Sequence, residues 1–166
     1  MSGSEYILEL KNLKKCFKEK VVHDGLSFSL RKGEILSLFG GSGSGKSVAL
    51  RCVIGLEKPD SGEIYFHGRE ISQLNETQLI EIRKRIAYVF QNGALFDSMT
   101  VRENLAYPLV EHTKLSDTEI EHKILSMLEL TKMQGSENLL PASLSGGMQK
   151  RVGLARAIIL GPEVIL

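Results

Sequence analysis

The chain has 166 residues, of which 42% are hydrophobic and 25% charged, with a formal net charge of +1, the make-up of one ordinary globular domain able to bury a core. No basic block is longer than Arg83-Lys84-Arg85, which excludes an electrostatic footprint for nucleic acid or anionic lipid; that run reads as a solvated helix end complementing the dipole. Two cysteines, Cys16 and Cys52, lack C-x-x-C spacing, which excludes a disulfide scaffold and points to a reducing cytosol. There is no signal-peptide pattern and no apolar run near the ~18 residues a membrane span needs.

Tyr6–Leu10 and Leu26–Leu30 alternate like half-buried strands, and Arg31-Lys32-Gly33-Glu34 turns the chain into Glu34–Phe39, which reads as a buried strand. The next eight residues, Gly40-Gly41-Ser42-Gly43-Ser44-Gly45-Lys46-Ser47, fit the phosphate loop G-x-x-x-x-G-K-[ST] at every fixed position. Glycines let such a loop fold so tightly that its N–H groups converge on an anion. Lys46 can reach the outer phosphates, Ser47 can ligate Mg²⁺, and the helix that follows aims its positive dipole end at the same place. Apolar residues from Val48 to Ile54, closed by Gly55, supply that short helix, with Cys52 packed inside it. Strand, glycine loop and helix in this order imply a bound nucleoside triphosphate; a plain glycine-serine linker would have polar flanks.

Lys58–Gly62 is a strong turn leading into the strand Glu63–Phe66. Asn75/Gln78, Thr100/Glu103 and Ser116/Glu119 are each spaced as capping boxes that open helices. Ile86–Phe90 between the first two suits a buried central strand. Ile120, Ile124 and Leu128 form one apolar stripe on a charged helix. Residues 98–160 are therefore expected to be mostly helical, either as an inserted subdomain or as further crossover helices. Ser145 is placed to cap a helix with Met148, Val152, Ala155 and Ile159 on one side, ending at Gly161-Pro162. Followed by Gly146 and Gly147, it is a second candidate phosphate site or an ordinary N-cap. His23, His67, His112 and His122 have no metal-ligand spacing and read as surface or structural residues. The fold expected is α/β: a P-loop NTPase core with a small antiparallel β annex and a helical insertion.

The order of these motifs resembles the nucleotide-binding domain of ABC transporters over essentially the whole chain: a P-loop, then Gln91 after a buried strand, then Leu144-Ser145-Gly146-Gly147. The resemblance implies that Mg-ATP is bound by Gly40 to Ser47 with Val48, and that Phe17, otherwise a core residue, stacks on adenine. It makes Gln91 the Q-loop glutamine that contacts Mg²⁺ and the attacking water. Ser145, Gly146 and Gly147 would grip the nucleotide of a second ATPase subunit in a head-to-tail dimer. Lys46, Gln91 and Ser145 are thereby the catalytic candidates, and Ser47 and Gln91 the metal ligands. Three departures stand out: Val48 where the family usually has Thr or Ser, Met148 in place of the Gln of L-S-G-G-Q, and an end at Glu163–Leu166, the start of a Walker B strand without its Asp and the catalytic Glu. The 166 residues alone are accordingly expected to bind ATP but hardly hydrolyse it. The implied divisions are a nucleotide-binding core at 1–91, a signature subdomain at 92–160 and the Walker B start at 161–166.

Gln91-Asn92-Gly93-Ala94-Leu95-Phe96, Asn104–Leu109 and Glu111-His112-Thr113 narrow the resemblance to the Mla-type, or Mkl, lipid-transport ATPases. That implies a membrane permease, a periplasmic lipid-binding component, a phospholipid-like cargo and a place on the cytoplasmic face of the inner membrane. It implies no nucleic-acid partner. Chromosome-maintenance ATPases share the P-loop and signature but separate them with coiled coils or zinc modules, unlike the interval of 54 positions (145 − 91) from Gln91 to Ser145. A nucleotide-holding fragment without turnover is the other reading.

Overall fold

The alternation of Tyr6, Leu8 and Leu10 folds into a strand that outruns its apolar part. In the computed structural model, residues 5–91 and 93–166 are described; residues 1–4, and Asn92 of the segment after Gln91, lie outside them. The chain divides into two compact units, Met1–Ile82 and Arg83–Leu166.

In the first unit, β1 (Tyr6–Phe17) pairs antiparallel with β2 (Lys20–Arg31) on one edge and with β3 (Ser61–Phe66) on the other. The short β4 (Arg69–Glu70) extends the sheet to the order β2-β1-β3-β4. Leu8, opposite Leu30 and Phe66, and Leu10, opposite Phe28 and Ile64, are buried. Leu13 is buried too, although an uninterrupted period of two would turn it outward. The register slips between Leu10 and Leu13, where Asn12 adopts φ 50°, and this bulge returns Leu13 to the buried face. β1 and β2 exceed the expected spans because the polar run after Leu10 completes the ladder, which needs backbone groups rather than apolar side chains.

Helix α1 (Lys46–Val53) buries Ala49, Cys52 and Val53, as its apolar spacing predicts. Burial pushes the Cys52 thiol up to about 11, whereas Cys16 is exposed. Helix α2 (Glu76–Arg85) opens with the expected reciprocal cap: Gln78 N–H donates to Asn75 Oδ1 at 3.0 Å and Asn75 N–H to Gln78 Oε1 at 3.1 Å.

The strand expected at Glu34–Phe39 is not formed. Residues 34–40 carry no strand, and Ile35 and Phe39 are each 93% exposed. Apolar content gives a segment the potential to be a strand, but a ladder partner makes it one, and this segment finds none among the described residues.

The second unit is built on α3 (Val101–His112), α4 (Asp117–Leu130) and α5 (Gly146–Ile158). Leu105, Leu109, Ile124, Leu128, Val152 and Ala155 interlock in their common core. Both expected capping boxes are present, at Thr100/Glu103 and Ser116/Glu119. Hydrogen bonds from Thr100 and Ser116, their backbone N–H groups first, hold the Glu103 and Glu119 carboxyls below the ordinary glutamate value. β5 (Ile86–Ala87) and β6 (Val164–Ile165) form a parallel pair, Ile86 opposite Val164. The strand expected to Phe90 is therefore shorter. Two further bonds, Leu166 N–H to Ala87 O and Val89 N–H to Leu166 O, each 2.8 Å, prolong the ladder, and Phe90 is exposed. Arg85 and Glu163 are joined by an ion pair beside this ladder.

Candidate functional site: two glycine-rich loops

In the first unit the loop Gly40–Ser47 closes on the N-terminus of α1. Gly45 is the N-cap at φ 92°, with no side-chain cap, and its carbonyl takes the N–H groups of Val48 (2.8 Å) and Ala49 (3.0 Å). The N–H groups of Lys46 and Ser47 come before these first helical bonds and are placed for an anion. Lys46 Nζ lies inside the loop, donating to Gly40 O (2.6 Å), Gly41 O (2.9 Å) and Ser44 Oγ (3.3 Å). A Cβ on Gly40 would stand 2.7 Å from Ser44 Oγ. The loop has the features a polyphosphate needs: close-turned backbone, a mobile ammonium and a helix terminus. Ser47 follows Lys46 on the first turn with a hydroxyl suited to Mg²⁺. Val48, without one, leaves its backbone N–H committed to Gly45 O.

Gly45 also shows why this loop sits where it does. A Cβ there would meet Val22 Cγ1 at 2.4 Å and the His23 ring at 2.9 Å. His23 Nε2 is 3.0 Å from Gly45 O, so β2 is the wall against which the loop is folded. From sequence His23 reads as a surface or structural residue, because nothing in its neighbourhood points to a partner 22 positions away. The same β2 brings Phe17 into the picture. Phe17, the last residue of β1, pairs with Lys20 at the hairpin end, three residues before His23, and it is 41% exposed rather than part of the core.

In the second unit Ser145 caps α5, its Oγ accepting from Met148 N–H at 3.3 Å. Ser145, Gly146 and Gly147 are exposed. A Cβ on either glycine would meet nothing within 4 Å, and neither has a positive φ. Gln91 is exposed at the turn following the β5 segment. The P-loop and Phe17 thus belong to one unit, and Gln91 and Ser145 to the other.

The segment after Gln91 is held by a cluster that has no signature in the sequence. Arg156 of α5 donates to Gly93 O (3.2 Å), Ala94 O (2.6 Å) and Asn104 Oδ1 (3.2 Å), with its guanidinium 5.1 Å from the Phe96 ring centre. Burial lowers its pKa from the ordinary arginine value, and these acceptors offset the desolvation. Asn104, fully buried, returns hydrogen bonds to Phe96 O, Met99 O and Thr100 O. A Cβ on Gly153 would lie 2.6 Å from Gly93 Cα, so the segment rests directly on the backbone of α5. Among the described residues no cluster of three or more His, Cys, Asp or Glu could hold a metal, and no helix is long and apolar enough to cross a membrane.

A P-loop before α1 and a serine-glycine cap on α5 agree with the comparison to known proteins: the ABC transporter family profile matches residues 23–166, and the chain belongs to that family. It is 39% identical over 163 residues to the intermembrane phospholipid transport system ATP-binding protein MlaF of Haemophilus influenzae, spanning 98% of this chain and 62% of that protein. It is 42% identical to the probable ribonucleotide transport ATP-binding protein mkl of Mycobacterium leprae, over 96% of this chain and 46% of that one. The methionine import ATP-binding protein MetN of Brucella abortus is also 42% identical, over 96% of this chain and 43% of its own length. The chain therefore spans less than two thirds of these relatives. Among solved structures, the dimeric ATP-binding cassette MJ0796 in a post-hydrolysis state bound to ADP and Pi superposes with a TM-score of 0.88 at 33% identity, covering 95% of this chain and 72% of that one. The fold is that of an ABC ATPase, with the antiparallel β annex expected.

Proposed function

We propose that this protein is the ATPase subunit of a lipid-exporting or lipid-importing ABC transporter, working as a head-to-tail dimer with two nucleotides sandwiched between P-loop and signature. The observation that carries the dimer is the pair Gly146 and Gly147. Their conformation and surroundings within the chain would admit any small side chain, so their lack of one has its use outside the chain, where an N–H surface at a helix start receives a phosphate. The dimeric, ADP-bound MJ0796 relative supports this reading.

ATP would be held by the backbone of residues 40–47 and by Lys46, with Phe17 stacking on the base. Mg²⁺, ligated through Ser47 and Gln91, would supply neutralising charge to the phosphates. Lys46 places its ammonium on the outer phosphates, Gln91 orients the attacking water, and Ser145 with the two glycines completes the neighbour's site and excludes solvent from it.

The cargo proposed is a phospholipid or related lipid, supported by the MlaF relative and by the residues that follow Gln91. Phe96, 41% exposed, packs edge-on against Tyr107, with ring centres 5.1 Å apart, beside the 61% exposed Val110. This apolar surface would dock on a permease at the cytoplasmic membrane face, where the protein would lie peripherally, with a periplasmic lipid carrier as an indirect partner. Leu105, fully buried, belongs to the core instead. The test is co-expression with the candidate permease and ATP-dependent phospholipid transfer between vesicles. Phe96→Asp is expected to abolish both co-purification and transfer, while transfer of methionine or ribonucleotides in place of lipid would overturn the cargo.

A further inference from the structure

Lys15 is a charged side chain only 12% exposed. It stands two residues before Phe17 on β1, across a register slip between Lys15 and Cys16. Its Nζ is 4.9 Å from the centre of the Phe17 ring, within cation–π range. The ammonium is not free to swing away: it donates to Lys58 O at 2.7 Å and lies 3.8 Å from Asp60 Oδ1. Asp60 is itself fixed to β1 on both sides of Lys15, through Cys16 N–H to Asp60 Oδ2 (2.6 Å) and Asp60 N–H to Lys14 O (2.9 Å). Lys15 also pairs in register with His23, the residue on Gly45 O.

We propose that Lys15 is a positioning residue for the nucleotide base: clamped by the Lys58 carbonyl and Asp60, it holds the Phe17 ring so that adenine stacks on it. This rests on the ATP-site reading above and adds to it a residue that touches no part of the nucleotide. A cation against one region of an aromatic ring fixes its tilt and draws π-density toward itself, which makes the remaining surface a better stacking partner for an electron-rich purine. The turn Lys58–Asp60 thereby becomes part of base recognition.

Calorimetric titration of the full protein with a non-hydrolysable ATP analogue and, separately, with inorganic tripolyphosphate separates base from phosphate recognition. Phe17→Ala is expected to weaken the ATP analogue about tenfold and Lys15→Met about threefold, both leaving tripolyphosphate unchanged, with Lys15→Arg restoring the affinity. Asp60→Asn, which keeps an acceptor for Cys16 but releases the charge on Lys15, should give the same ATP-only loss in milder form. Unchanged or tighter ATP binding by Lys15→Met, or an equal loss of both ligands, would overturn the proposal; if that variant does not fold, unchanged ATP binding by Asp60→Asn does so. Failure of the unaltered protein to bind tripolyphosphate would instead bring down the P-loop reading, and this inference with it.

Discussion

The loop before α1 and the loop before α5 are both serine-glycine runs at a helix start, yet their glycines answer to different constraints. Gly45 has φ 92° and no room for a Cβ beside Val22 and His23, whereas Gly146 and Gly147 have ordinary backbone angles and open space around them. The first loop is shaped by its own chain and carries its own cation. The second is a finished N-cap on whose glycines an added Cβ would meet nothing within 4 Å among the described residues. Glycine therefore means two things here: at 45 the fold demands it, and at 146 and 147 a second molecule would.

The largest test of this contrast is Lys46→Ala. Removing the one ammonium bonded inside the first loop should weaken a non-hydrolysable ATP analogue about 10- to 100-fold by calorimetry, with the melting temperature nearly unchanged. Equal affinity in the two proteins would end the comparison, since the first loop would then not be the phosphate site. Gly146→Asp should leave monomer ATP affinity within about twofold but abolish ATP-induced dimerisation, read by light scattering. A variant that still dimerises would show that the second loop is only a helix cap.

Stability draws the same line. Gly153→Ala drives a methyl into the Gly93 backbone 2.6 Å away and should cost about 1–3 kcal/mol in denaturant unfolding. Gly147→Ala should be neutral or slightly stabilising, because alanine favours a helix and meets nothing. A comparable loss at Gly147 would mean that the fold does constrain the second loop.

The smallest expected effect concerns pH. Glu103 and Glu119 are held below their ordinary value of 4.5 by the hydrogen bonds of their capping boxes. A carboxyl whose folded pKa is depressed contributes stability that is complete above its unfolded pKa and is lost as pH falls through the folded one. Melting followed from pH 6 down to pH 3 (about the range in which carboxylates titrate) should therefore show an acid loss that is reduced in Glu103→Gln, since glutamine keeps part of the box without titrating.

What could be read from the sequence was local. The P-loop, the three capping boxes, the Ile124/Leu128 stripe and the Ser145 cap depend on residues within a turn or two of one another, and each is present. Glu34–Phe39 failed as a strand because pairing is a non-local property, and the same limit hid the contact of His23 with Gly45, the Arg156–Asn104 cluster and the Gly93–Gly153 approach. The bulge at Asn12 was hidden for a related reason: it becomes visible only once Leu13 is seen buried out of phase.

The two cysteines lend the first unit a built-in chemical reporter. Cys16 is exposed beside Phe17, while Cys52 is 3% exposed in α1 with its thiol pushed up to about 11. At neutral pH a thiol reagent should modify Cys16 promptly and Cys52 only when α1 opens. The slow second addition, followed by mass spectrometry, would clock the breathing of the helix that follows the phosphate loop, and a dye on Cys16 would sit next to the ring where the base is proposed to land.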